Sequence, residues 1–112
     1  MDAPIATFEG IAIDQGGTRF PFKVSIGTPY LRDHEPHTWA CPVSVEPLDT
    51  HIREIFGGDS FQALCLASRI ALELLRSFIE RGGRLTYDGD EDLSLDAYLS
   101  PSSLQSRGRV AP

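Results

Sequence analysis

Apolar and polar residues change places at every second position over residues 18–27. Phe20, Phe22, Val24 and Ile26 alternate with Arg19, Pro21, Lys23 and Ser25, which predicts a strand with one buried and one solvated face. Residues 37–46 repeat the pattern, with Trp39, Cys41, Val43 and Val45 on the apolar side and Thr38, Ala40, Pro42, Ser44 and Glu46 on the other. Residues 5–14 read as a strand whose phase breaks, since Phe8 has even parity and Ile11 and Ile13 have odd. A β-bulge at Gly10 would return all three to one face. Asp14-Gln15-Gly16-Gly17 then makes a hairpin turn. Pro21 stands against this order. It lacks an N–H and belongs at an edge or a bulge, whereas a simple meander would put its strand in the middle.

The longest regular pattern is a helix predicted over residues 60–81. Asp59 precedes it and Gln62 is its third residue, which makes a capping box. Gly82 and Gly83 supply a left-handed C-terminal stop, and Arg81 suits the negative end of the helix dipole. Phe61, Leu64, Cys65, Ser68, Leu72, Leu75 and Ile79 form one stripe, expected to face the sheet. Ala63, Ala67, Ile70 and Leu74 form a second. Arg69 with Glu73, and Arg76 with Glu80, are spaced for i,i+4 ion pairs. A helix on one small sheet buries roughly a 100° stripe. Two readings of the excess stay open. Either the sheet curls around the helix, or Ala63, Ala67 and Ala71 let a helix of a second subunit approach closely in a homodimer.

The remaining segments are short. Residues 28–36 read as a loop, and residues 47–58 fit either a turn of helix, from the spacing of Ile52, Ile55 and Phe56, or an irregular connection. Residues 84–87 predict a short strand, 88–91 a turn, 93–95 a returning strand and 96–99 a closing turn. Residues 100–112 are rich in Ser, Pro, Gly and Arg and are expected to be disordered, because they hold too little apolar surface to offset their ordering entropy. The sum is an α+β domain over residues 1–99: an antiparallel sheet of four to five strands packed in two layers against one long helix.

Composition narrows the function classes. The chain has 112 residues, a formal net charge of −6 and two cysteines. It lacks the ~20-residue apolar run that spans a bilayer, and it has no basic stripe of the kind that reads nucleic acid. Met1-Asp2-Ala3-Pro4 opens without a basic segment or an apolar stretch, so a reducing cytoplasm is the expected compartment. All 16 acidic side chains precede residue 101, while Arg107 and Arg109 of the ten basic ones follow it, so residues 1–100 carry −8.

Three sets of residues bear candidate chemistry. His34, His37 and Cys41 are metal-ligand types with Asp33 and Glu35 adjacent. On one strand, however, His37 and Cys41 would stand about 13 Å apart at ~3.3 Å per residue, so no metal and no cofactor are assigned. Cys41 as a nucleophile would need a lowered pKa and a base, yet its parity puts it in the core. Asp88, Asp90, Glu91, Asp92 and Asp96 are the densest charge in the chain and form a candidate protein-binding patch for a basic partner.

Trp39-Ala40-Cys41-Pro42, followed by Gly58-Asp59-Ser60-Phe61-Gln62-Ala63-Leu64-Cys65-Leu66-Ala67, resembles a family of small bacterial proteins of unknown function. These share a W-x-C-P … G-x-D-S-x-Q-A-L-x-L-A signature, and Trp39, Cys41, Pro42, Asp59 and Gln62 are its motif residues here. Glu46-Pro47 stands where that pattern has glycines. The resemblance implies a small α+β fold, no established activity and, by analogy, a place among immunity proteins that bind toxins. The expected function is therefore a non-catalytic, immunity-like protein-binding domain acting through an acidic surface. Two alternatives stand beside it: a small enzyme or ligand-binding domain using residues 34–41, and a structural homodimer subunit.

Overall fold

A computed structural model describes residue 1, residues 3–34 and residues 36–99. The expected disorder of residues 100–112 lies outside the described residues. In chain order come β1 (Ala6–Ile13), β2 (Arg19–Ile26), β3 (Tyr30–Leu31), β4 (Trp39–Glu46), β5 (Arg53–Gly57), α1 (Ser60–Glu80) and β6 (Arg84–Thr86), then a 3-10 turn (Leu95–Tyr98). The strands make one six-stranded antiparallel sheet, and α1 packs on one of its faces. The class is α+β, as the pattern predicts, with a sixth strand beyond the four or five expected.

β5 and β3 account for the difference. β5 pairs with β4 over five residues, from Trp39 with Gly57 to Val43 with Arg53. The helical spacing of Ile52, Ile55 and Phe56 is therefore not used. Ile55 turns toward α1 and packs on the core, while Phe56 lies half exposed on the opposite face. β5 occupies one edge of β4, so β2 and β3 share the other, end to end. The expected strand at residues 93–95 shrinks to a single bridge between Thr86 and Asp92.

β1 and β2 run in unbroken register for eight pairs, from Ala6 with Ile26 to Ile13 with Arg19. There is no bulge. Phe8, Gly10 and Ala12 face α1 beside Val24, Phe22 and Phe20, and Ile11 and Ile13 point to the outer face. Gly10 works by omission: a Cβ there would stand 2.7 Å from the Phe22 ring and 2.3 Å from the Thr86 carbonyl oxygen. The sequence break marks a missing side chain, not an added residue. Pro21 is explained equally simply. β4 pairs with β2 only from Lys23 to Ile26, so Pro21 sits where its strand has β1 on one side and no strand on the other.

Both ends of α1 are as predicted. The Asp59 carboxylate accepts from the Gln62 N–H at 2.7 Å, and Gln62 Oε1 accepts from the Gly58 N–H at 2.6 Å. At the other end Gly82 is left-handed at φ 94°, and the N–H groups of Gly82 and Gly83 donate to the carbonyls of Ile79 and Phe78 at 3.0 and 3.1 Å. That is a Schellman stop. The face of the helix is the correction. Ala63, Ala67, Ala71, Leu75 and Phe78 are the buried residues. The alanines expected to receive a partner helix are pressed on this chain's own sheet. Small side chains let the helix axis approach β4 and β5 closely, which excludes water from more of the sheet. Of the stripe expected to face inward, Leu75 is fully buried as expected, but its N-terminal part is rotated to the flank: Phe61 is 74% exposed and Cys65 is exposed, while Leu64 and Leu72 are half-buried.

Over β1, β2 and β6 the gap is filled by larger groups. The Phe20 and Phe78 rings meet edge to face at 6.0 Å, as do Phe8 and Phe22 at 5.5 Å. Leu93 and Leu95 close the layer. Gly10→Ala is expected to lower stability by ~1–3 kcal/mol through overpacking. The open-turn substitution Gly16→Ala should stay within ~0.5 kcal/mol. Urea midpoints of the two variants check this pair, and equal midpoints would refute the close-approach account.

Candidate functional site

Trp39, Cys41, Asp59 and Gln62, which carry the sequence resemblance, come together at one junction. Trp39 of β4 pairs with Gly57, the last residue of β5, and Cys41 pairs with Ile55. Two residues later Asp59 and Gln62 cap α1. The first turn lies against Gly57 so closely that a Cβ there would meet the Ala63 nitrogen at 2.6 Å. Pro42 is on the outer face, with its ring against Gly27. The motif therefore turns a strand into a helix at fixed height above the sheet.

Cys41 is fully buried on the helix-facing side, and its thiol donates to the Gly27 carbonyl at 3.4 Å. Burial pushes its pKa up, and the nearby Glu54 charge adds to the rise. Both effects disfavour a thiolate. His34 does not meet it. His34 lines a shallow depression of about 310 Å³ with Tyr30, Arg32, Asp33, Glu54 and Phe56. Tyr30, Glu54 and Phe56 belong to the outer face, opposite Cys41, because they pair with Ala40 and Pro42. His37 is exposed in a turn at φ 66°, and His51 is exposed beside β5. Among the described residues no three His, Cys, Asp or Glu side chains are grouped to hold a metal ion.

The outer-face depression holds contacts that the sequence reading missed. The Tyr30 hydroxyl donates to the Glu54 carboxylate, and this hydrogen bond raises the phenol pKa. The Arg32 guanidinium lies 4.7 Å from the centre of the Phe56 ring. The signal for this cluster was alternation within residues 53–57, obscured by the helical spacing of the apolar positions.

The acidic hairpin divides into two groups. Asp88 and Asp92 are occupied within it. The Asp88 carboxylate accepts from the N–H groups of Asp90 at 3.0 Å and Glu91 at 3.3 Å, and these bonds hold its pKa below the ordinary 3.8. Asp92 pairs with Arg84 at 2.8 Å. Asp90, Glu91 and Asp96 are exposed and make no ion pair among the described residues. The backbone around them folds back along β6: Tyr87 N–H donates to Glu91 O at 3.0 Å and Leu93 N–H to Leu85 O at 2.9 Å. The acidic turn thus covers the outer edge of the sheet and delivers Leu93 to the core.

The exposed side of α1 completes the inventory. Phe61, Cys65 and Leu66 stand in solvent on its first two turns. Arg69 pairs with Glu73 at 3.0 Å as predicted, whereas the predicted pair of Arg76 with Glu80 is not formed. No helix of the described residues is long and apolar enough to cross a membrane.

Two measurements follow. A colorimetric thiol reagent should label one cysteine, Cys65, rapidly in the native protein and reach Cys41 only on unfolding. Two fast equivalents would contradict the burial of Cys41. A depressed native pKa at Asp88 means stability that is present above the unfolded pKa and is lost as pH falls through the folded value. Asp88→Ala should be less stable than the parent at neutral pH, and the two should converge as pH drops below 3.8. Parallel unfolding curves across that range would rule out the linkage.

With the geometry in place, comparison with known proteins gives one match. A family described as a domain of unknown function, DUF6968, matches residues 11–97, and the chain belongs to it. No curated protein and no solved structure matches the chain.

Proposed function

We propose that this DUF6968 domain is a non-catalytic protein-binding module. The observation that carries the reading is the stripe on α1 that the sheet leaves uncovered. Phe61 is 74% exposed and Leu66 is 39% exposed, with exposed Cys65 between them. A large aromatic side chain left in water beside further apolar residues marks a contact surface, because its burial by a partner would contribute ~1.5–3 kcal/mol. Aromatic anchors dominate such interfaces.

Charge supplies the second half. The carboxylates of Asp90, Glu91 and Asp96, which make no ion pair among the described residues, and the −8 balance of residues 1–100 favour a basic partner and speed its encounter. The finer form of the reading is immunity-like: a bacterial protein that occludes a basic toxin. The burial of Cys41, and its separation from His34 by the thickness of the sheet, argue against a thiol enzyme built on residues 34–41. The homodimer remains an outcome of the test, since a second copy can also cover Phe61.

The test is capture from the source cells with the wild-type chain and with Phe61→Glu, both checked for fold by circular dichroism. A basic protein retained by the wild type and lost from the variant supports the reading. Equal capture by both chains, or capture of nothing across several growth conditions, overturns it. Light scattering that gives twice 12.3 kDa for the wild type and 12.3 kDa for Phe61→Glu assigns the stripe to a second copy instead.

A further inference from the structure

We propose that the chain forms a two-fold dimer in which β5 pairs antiparallel with β5 of a second copy, joining two sheets into one. The fold leaves this strand edge bare. The Gly27 N–H donates to the Pro42 carbonyl at 2.8 Å, so Pro42 points its backbone away from β5. Peptide groups alternate sides along an antiparallel strand. Cys41 and Val43 therefore aim theirs at β5, where they pair with Ile55 and Arg53. Glu54 and Phe56 are left with their N–H groups and carbonyls directed away from the sheet. Among the described residues these groups have no hydrogen-bond partner.

Elsewhere the sheet protects its margins. The outer edge of β6 is bridged by the return through Asp92, the bare stretch of β2 holds Pro21, and β3 is two residues long. β5 has no such device. Its charged side chains are engaged within the chain, Arg53 by Asp49 at 2.7 Å and Glu54 by the Tyr30 hydroxyl.

The strand is complementary to itself, which selects a second copy as its partner. With the two-fold axis at Ile55, Glu54 of each copy stands opposite Phe56 of the other, in the kind of pair that exchanges both backbone hydrogen bonds. These bonds use every outward group of both strands. No carboxylate opposes a carboxylate, as it would with the axis at Glu54. The two Ile55 side chains meet at the axis as a β-branched pair, and Arg53 stands opposite Gly57, which has no side chain to obstruct it.

The helix adds a second contact. Ser68 and Leu72 mark the flank of α1 over β1 and β2, since they lie beside Phe8, Val24 and Ile26. Leu66 and Ile70 are on the other side of the buried alanines, above the β5 edge. Leu66 is 39% exposed and Ile70 is partly buried. Because α1 rests on β4 and β5, pairing through β5 sets the two helices about two strand spacings apart, ~9–10 Å. Helices pack at ~8–10 Å.

The test is the mass of the full chain against concentration, by light scattering. Twice 12.3 kDa is expected, falling to 12.3 kDa on dilution. Glu54→Pro removes an outward N–H and leaves the ladder to β4 intact, so it should weaken dimerisation at least tenfold. Leu66→Lys, an exposed change, should weaken it about three- to tenfold. Circular dichroism checks that both variants fold. Hydrogen exchange on the wild-type chain needs no substitution: the Glu54 and Phe56 amides should exchange at least tenfold more slowly in the dimer than in the dilute monomer. A mass of 12.3 kDa up to about 1 mM chain overturns the proposal. So does a doubled mass in which those two amides stay unprotected, or one that neither variant weakens. A doubled mass abolished by Phe61→Glu and kept by Glu54→Pro overturns it in favour of a second copy on the α1 stripe.

Discussion

One helix has to roof a six-stranded sheet, and the rest of the molecule follows from how that mismatch is settled. A single helix is too narrow to cover every strand. α1 resolves this by committing to one side. Its alanine rail settles directly on β4 and β5, where Ala63 and Ala67 reach zero exposure. The opposite side is left to bulk. Phe8, Phe20, Phe22 and Phe78 interlock there, and the segment after β6 brings in Leu93 and Leu95.

The residues that carry the sequence resemblance gain a physical meaning from this arrangement. Trp39, Cys41, Asp59 and Gln62 set where the helix begins and how far it lies above the strands. Changing any of them would move the alanine rail relative to β4. A motif that looks chemical, with a cysteine next to a proline and histidines nearby, is thus a device for docking a helix. What docking leaves exposed is the flank of α1, the acidic turn and the outer face around Tyr30 and Phe56.

What was legible in the sequence is what depends on neighbours along the chain. The strand alternation in 18–27, the Asp59 cap and the Gly82 stop are local, and all three are present. What depends on distant partners was not. The spacing of Ile52, Ile55 and Phe56 imitates a helix, but pairing with β4 overrides it. Two apolar stripes compete on α1, and hydropathy favours the larger residues. From Ala63 to Ala71 the sheet selects the smaller, because contact distance decides the packing there, and Leu75 and Phe78 take over in the last turns. Gly10 read as an insertion when it is a vacancy for the Phe22 ring. The acidic residues were visible as a cluster, but their role along β6 depends on a strand edge that composition does not show.

The turn over β6 also governs how copies of this chain can meet. An antiparallel sheet grows sideways through strands whose backbone groups are unpaired. Here the outer edge of β6 is bridged by the chain's own return, Asp92 to Thr86, and fringed with carboxylates. β5 and β3 each pair only with β4, and β2 has no strand beyond β1 from Arg19 to Phe22. Pro21 lies in that last stretch and has no N–H to offer an incoming strand. The carboxylates and the proline thus blunt two of the places where a second sheet could be added.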